Sequence, residues 1–223
     1  MTMKVLAITL IFLITQFAQP TRKKVIFFGD SITQAGVQPT GYITKVGEMA
    51  TRDKLADKYE FIGAGIGGNK IYDLYLRMDD DVLAKNPDIV IIYIGVNDVW
   101  HKQSSGTGTD FDKFEKFYNA VIKKLMDKGI KVILATPAVI GERTDATNQL
   151  DGDLNRYSAL IRKIAEANKL PLVDLRKSFM DYSKANNPEN KEQGILTTDR
   201  VHLNEKGNEL VASEMWKAIK SQN

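Results

Sequence analysis

Three short runs in this chain, residues 24–28, 88–94 and 130–135, are apolar at nearly every position and not merely at every second one. A strand that is half exposed alternates polar and apolar side chains. A run with no such alternation has to be covered on both faces. Between the runs lie segments with apolar residues three and four apart: Tyr42, Ile43, Val46, Met49, Ala50 and Leu55 within 39–57, then Ile71, Leu74, Tyr75, Met78 and Val82, then 111–128 with Gly129 as its stop. These are helices with one apolar stripe each. Two shorter strands are expected at 59–63 and 170–174, and further helices at 154–168 and 204–220. Strand and helix alternate, so the connections are crossovers, which demands an α/β fold with a five-stranded parallel sheet covered on both faces.

The 223 residues suit one such domain, with no internal repeat and no linker to divide it. The net charge of +3 is small and evenly spread, which argues against a nucleic-acid partner. With no cysteine, disulfides, thiol nucleophiles and Cys-ligated metals are excluded, and with two histidines, His101 and His202, so is a three-histidine zinc site. No cofactor is called for. The start of the chain differs from the rest: Lys4 precedes a ten-residue apolar centre, 5–14, and Ala18 follows a short polar stretch. That pattern predicts a secretory signal peptide over 1–19, too short to span a bilayer comfortably, ahead of a domain over 20–223. Export to the periplasm or beyond follows, with no stable membrane insertion after processing.

Chemistry-bearing residues sit where strands end. The first strand stops at Gly29-Asp30-Ser31, the second runs into Gly63-Ala64-Gly65-Ile66-Gly67-Gly68-Asn69, and the third ends at Gly95-Val96-Asn97-Asp98. In a parallel sheet these ends share one edge, where ligands bind. Ser31 reads as a nucleophile in that crevice or as a helix N-cap. Gly29 is expected to let the chain turn sharply there. Gly67 or Gly68 can offer a backbone N–H to an oxyanion, and Asn97 a side-chain amide, unless Asn97 merely forms a turn. Asp199 and His202, three apart, are neighbours on a helical turn, where the carboxylate can orient the imidazole; alone, such a pair is also an ordinary surface pair. Taken together these are the parts of a serine esterase. His101, in a polar loop after Trp100, is the rival imidazole, for which a binding role beside the pocket is expected. Trp100 either stacks on a sugar or acyl group or packs beneath its loop, and Asp30, Trp100 and His101 are the expected substrate-facing residues. Gly63, Gly65 and Gly68 also fit a dinucleotide fingerprint, but they follow the second strand and no ribose-binding acid ends the next. Asp145, Asp151 and Asp153 lack the spacing of a calcium loop.

The four blocks resemble those of the SGNH, or GDSL, hydrolase family: Gly29-Asp30-Ser31-Ile32, with Ile where the family usually has Leu; Gly65-Ile66-Gly67-Gly68-Asn69; Gly95-Val96-Asn97-Asp98; and Asp199-Arg200-Val201-His202. They occur in the family's order and span nearly the whole domain. The resemblance implies a three-layer α/β/α sandwich of flavodoxin-like strand order 2-1-3-4-5, catalytic Ser31, Asp199 and His202, and an oxyanion hole of the Ser31 and Gly68 N–H groups with Asn97. No Gly-x-Ser-x-Gly elbow is present, which disfavours the commoner α/β-hydrolase fold.

The expected function is that of an exported serine esterase acting on a small-molecule or oligosaccharide ester. The loops over 102–110 and 141–153 are polar, which suits a short acyl group on a hydrophilic carrier. Similar exported members of the family often remove acetyl groups from carbohydrates. A lysophospholipase or thioesterase acting on longer chains, and a non-catalytic carbohydrate-binding module, are the alternatives. The sequence leaves the oligomeric state open.

Overall fold

The computed structural model describes residues 22–222; the expected leader over 1–19 lies outside them. Strands β1 (Lys23–Gly29), β2 (Tyr59–Gly65), β3 (Ile89–Tyr93), β4 (Lys131–Ala135) and β5 (Leu172–Val173) form one parallel sheet in the order β2-β1-β3-β4-β5. Around it lie helices α1 (Ser31–Ala35), α2 (Tyr42–Arg52), α3 (Ile71–Asp81), α4 (Val96–Ser104), α5 (Phe111–Met126), α6 (Asp151–Asn168), α7 (Leu175–Asn186) and α8 (Glu205–Lys220). This is the expected doubly covered sandwich in the expected strand order.

Two consecutive residues of β1 explain the unbroken apolar run. Phe27 meets the edge of Tyr42 on α2, whereas Phe28 lies under the guanidinium of Arg77 on α3. Alternate side chains therefore enter different layers, and both must be apolar. Val25, Ile26, Phe27, Phe28, Val90, Ile91 and Ile92 are wholly buried, each worth about 1.5–3 kcal/mol over exposure. The register matches Gly29 with Gly65 and Tyr93, and Tyr93 with Ala135. Four strands thus end level, and the segments that follow them line one rim.

The two glycines that end β1 and β2 have a steric purpose. A Cβ on Gly29 would lie 2.3 Å from the Tyr93 carbonyl oxygen, and one on Gly65 2.1 Å from the Gln34 nitrogen. Close approach of backbone to backbone, and not the sharp turn expected at Gly29, is what requires them.

Several boundaries differ from the sequence expectation. The fifth strand covers two residues, because Pro171 has no N–H to give the sheet and Asp174 has become the N-cap of α7, accepting from Lys177 N. Helix α7 has no clear apolar period in the sequence, since its buried side includes Arg176 and Ser183 beside Leu175 and Phe179. Helix α6 begins three residues earlier than expected, at Asp151, with Asp151 and Asp153 in its first turn where acidic groups suit the helix dipole. Residues 96–104, expected as a loop around Trp100 and His101, are helical.

Candidate active site

At the end of β1 the chain turns directly into α1. The cap of this helix is Asp30, whose Oδ1 accepts the Ile32 N–H at 3.0 Å. That leaves the hydroxyl of Ser31, the first helical residue, free for another partner, and its Oγ lies 2.9 Å from His202 Nε2. Asp30 itself is 2 % exposed. It lies beneath the turn and does not face substrate as the sequence suggested, because a capping carboxylate has to point into the helix it caps. Burial pushes its carboxyl up to about 7, against the pull of the Ile32 N–H.

His202 is held by a turn that is not helical. Asp199 Oδ1 accepts from Val201 N at 3.1 Å and His202 N at 2.8 Å, while Oδ2 lies 2.7 Å from His202 Nδ1. Arg200 adopts φ +82 to allow it, and Thr198 N donates to the His202 carbonyl at 2.8 Å. The expected spacing of three is right, but the geometry is an Asx turn stitched across its base, with one carboxylate fixing both the backbone and the imidazole. Partial burial pushes the Asp199 carboxyl up, yet the His202 ring and the two backbone N–H groups outweigh it and hold it below the usual range. Asp199 is therefore anionic at neutral pH, as a group that orients an imidazole must be.

Opposite these residues the glycine run divides its two candidate donors. The Gly67 N–H is taken by Gln34 Oε1 at 2.9 Å. Among the described residues no acceptor takes the N–H of Gly68 or that of Ser31. Gly68 has φ +75, a conformation other residues seldom adopt. Asn97, 3 % exposed, sits in the first turn of α4, and its Nδ2 donates to the Asn69 carbonyl at 3.1 Å, which commits one amide hydrogen and leaves the other. The next residue, Asp98, accepts from Ile71 N at 3.1 Å, and burial pushes its carboxyl up to about 7.

His101 comes close to Gly68, its Cε1 3.8 Å from where a Cβ on that glycine would stand. Burial, and the nearby Lys70 ammonium, keep its pKa below the ordinary value, so it is neutral and flanks the site. The Trp100 ring, half-buried, lies 5.8 Å from the His101 ring. Lys70, also buried, donates from Nζ to the Gly68 carbonyl at 2.9 Å.

Two residues that hold this rim together were not foreseen. Arg77 Nη2 donates to the carbonyls of Gly29 (2.8 Å) and Ala64 (2.9 Å), and its Nε to Asn69 Oδ1 (2.7 Å), so one guanidinium ties the ends of β1 and β2 to the residue that anchors Asn97. Glu142, 2 % exposed, accepts from Ile195 N at 2.8 Å and Leu196 N at 2.6 Å, just ahead of the Asp199 turn. In the sequence Arg77 is one cation in an acidic helix and Glu142 one residue of a polar loop. Nothing local marks either, since each acts on segments distant in the chain.

The family described as GDSL-like lipase/acylhydrolase matches residues 27–210. A curated acetylxylan esterase from Geobacillus stearothermophilus is 29 % identical over 215 residues, which is 88 % of this chain and 94 % of that protein. The crystal structure of an acetyl xylan esterase, AlAXEase, superposes with a TM-score of 0.86 at 65 % identity, covering 88 % of this chain and 99 % of its own. Structures of the Geobacillus enzyme include three described as catalytic mutants, in which a histidine, a serine or an aspartate is replaced by alanine; for the aspartate variant the TM-score is 0.78 at 26 % identity, over 90 % of this chain and 95 % of that one.

Proposed function

Since the chain belongs to the GDSL-like lipase/acylhydrolase family and is a carboxylic ester hydrolase, we propose that it removes acetyl groups from hydroxyls of a carbohydrate, xylan-type oligosaccharides first among them. Ser31 is the nucleophile, His202 the base, and Asp199 the group that orients His202. The observation that carries this reading is the unbroken hydrogen-bonded chain from Ser31 Oγ through the His202 ring to Asp199, 2.9 Å and then 2.7 Å.

With Asp199 anionic, the imidazole proton rests on Nδ1 and Nε2 is left to accept from the Ser31 hydroxyl. As Oγ attacks the ester carbonyl, Nε2 takes its proton, and the carbonyl oxygen becomes an oxyanion held by the N–H groups of Ser31 and Gly68 and by the Asn97 amide. Collapse releases the sugar hydroxyl, which recovers the proton from His202. Water, activated by the same nitrogen, then frees acetate from the acyl-enzyme. The similarity to acetyl xylan esterases at 65 % and 29 % identity supports acetyl as the acyl group and a xylan-type carrier. The polar surroundings of the rim support the carrier's being hydrophilic.

Among the described residues no helix is long and apolar enough to cross a membrane. We take the N-terminal pattern over 1–19 to be an export signal, which would bring the enzyme to the polysaccharides on which it acts.

Acetate release from acetylated xylo-oligosaccharides tests the reading, with p-nitrophenyl acetate and octanoate as a chain-length control. The expected result is turnover of the saccharide, preference for acetate over octanoate, and loss of at least about 10⁴-fold in kcat for Ser31→Ala. Preference for octanoate would instead favour a lipase or thioesterase.

A further inference from the structure

A cleft of about 260 Å³ opens beside the Asp199–His202 turn. Trp100 and Gln103 line it from α4, Arg143 and Gln149 from the segment before α6, and Glu192 and Arg200 from the segment that carries the turn. Arg200 belongs both to this cleft and to the turn that orients His202, and Trp100 adjoins His101, which flanks Gly68. The cleft therefore adjoins the segments that carry the reacting groups, and neither Ser31 nor His202 lines it. It is big enough for a single small ring, short of the roughly 300 Å³ at which pockets for drug-sized ligands begin.

Its walls are fixed in advance. Gly141 N donates to the Arg200 carbonyl and Glu142 N to the Glu192 carbonyl, both at 2.9 Å, while the buried Glu142 carboxylate holds the 195–196 backbone. At the cleft surface Glu192 is bracketed by two guanidinium groups, Arg200 Nη1 at 2.9 Å and Arg143 Nη2 at 3.3 Å. Each arginine spends one N–H on the carboxylate and keeps others, and the carboxylate keeps lone pairs. An acyl chain would have to strip water from two cations and an anion there, and an anionic ligand would face Glu192. A polyol suits the surface, because each hydroxyl both donates and accepts, and the C–H face of a sugar ring suits the apolar face of Trp100.

We propose that this cleft is a sugar subsite, holding a neutral pyranose of the carbohydrate carrier while the ester lies at Ser31. The proposal rests on the carbohydrate-acetylesterase reading given above and adds which residues select the carrier.

The test measures kcat/KM for acetylated xylotriose and for p-nitrophenyl acetate in wild type, Arg143→Ala and Glu192→Gln. The ratio of saccharide to nitrophenyl ester is expected to fall about tenfold in each variant, through KM, as for the loss of a hydrogen bond to a charged group. A ratio within twofold of wild type in both overturns the subsite. If wild type itself shows no preference for the saccharide ester, the carbohydrate reading fails and the subsite with it, a result read from wild type alone. Should a variant melt early, binding decides: unacetylated xylotriose titrated into Ser31→Ala should change the intrinsic tryptophan fluorescence saturably, and no change at tens of millimolar sugar overturns the proposal.

Discussion

Replacing Asn97 by alanine separates an amide that works in the transition state from one that only shapes a turn. The side chain is 3 % exposed, and one amide hydrogen is committed to the Asn69 carbonyl at 3.1 Å. Losing that bond should cost about 1 kcal/mol of stability, which in a domain of this size lowers Tm by about 2–4 °C. Loss of the remaining hydrogen as an oxyanion donor costs roughly 3–4 kcal/mol of barrier, a drop in kcat on the order of 10²–10³. The two magnitudes are read separately, by thermal melting and by kcat on saturating p-nitrophenyl acetate. Asn97→Asp keeps the shape and sets a carboxylate where negative charge develops, so it should lose at least as much. If Asn97→Ala melts within a few degrees of wild type and keeps kcat within about threefold while Ser31→Ala is inactive, the oxyanion role is wrong and the turn alone explains the residue.

Other perturbations read other parts of the rim. Gly65→Ala drives a Cβ to 2.1 Å from the Gln34 backbone nitrogen, so it should cost at least the upper end of the ~1–3 kcal/mol usual for overpacking; Gly67→Ala meets the movable Gln34 Oε1 at 3.2 Å and Ser31 Cβ at an ordinary 3.9 Å and should melt within a few degrees of wild type. Equal melting points for the two would refute the close-approach account. Arg77→Met takes one donor from each of the Gly29 and Ala64 carbonyls and from Asn69 Oδ1, leaving Gly29 the longer bond from Ile66 N at 3.3 Å, and urea denaturation should reveal a loss of about 3 kcal/mol, with kcat falling as the rim loosens; unchanged stability would sink it. Burial raises the Asp98 and Asp30 carboxyls to about 7, from an ordinary value of 3.8, so between those values the native chain holds protons that the unfolded chain has released. The stability that these two carboxyls contribute should therefore decline as pH rises from about 4 to 7 and level off above, opposed in part by His101, whose lowered pKa favours the folded state as pH rises toward 6.5. Asp98→Asn should flatten that slope in urea midpoints across the range, and a slope identical to wild type would contradict it.

Much of the fold was legible because it depends on local pattern. The apolar run of β1 has to be buried on both faces wherever it is placed, and Phe27 and Phe28 do enter opposite layers. Helix α7 was not legible, since Arg176 and Ser183 occupy its buried side and break the apolar period; the arginine is satisfied there by the Ala138 carbonyl and Asp151, groups 38 and 25 residues away. Asp30 was misplaced for a related reason. A capping aspartate and a substrate-facing one look alike until the burial of the turn is known.

The amino-acid order by itself determined the strand and helix alternation, the kinds of group at the strand ends, and the spacing of three between Asp199 and His202, because each follows from side-chain chemistry and local periodicity. Tertiary structure alone decided that Ser31 and His202, 171 positions apart, meet at 2.9 Å, that Gln34 takes the Gly67 N–H and leaves that of Gly68, and that Arg77 and Glu142 brace the rim. Hydrogen bonds between distant segments leave no local trace in the chain. They exist only once burial of the sheet has brought its ends to a common edge.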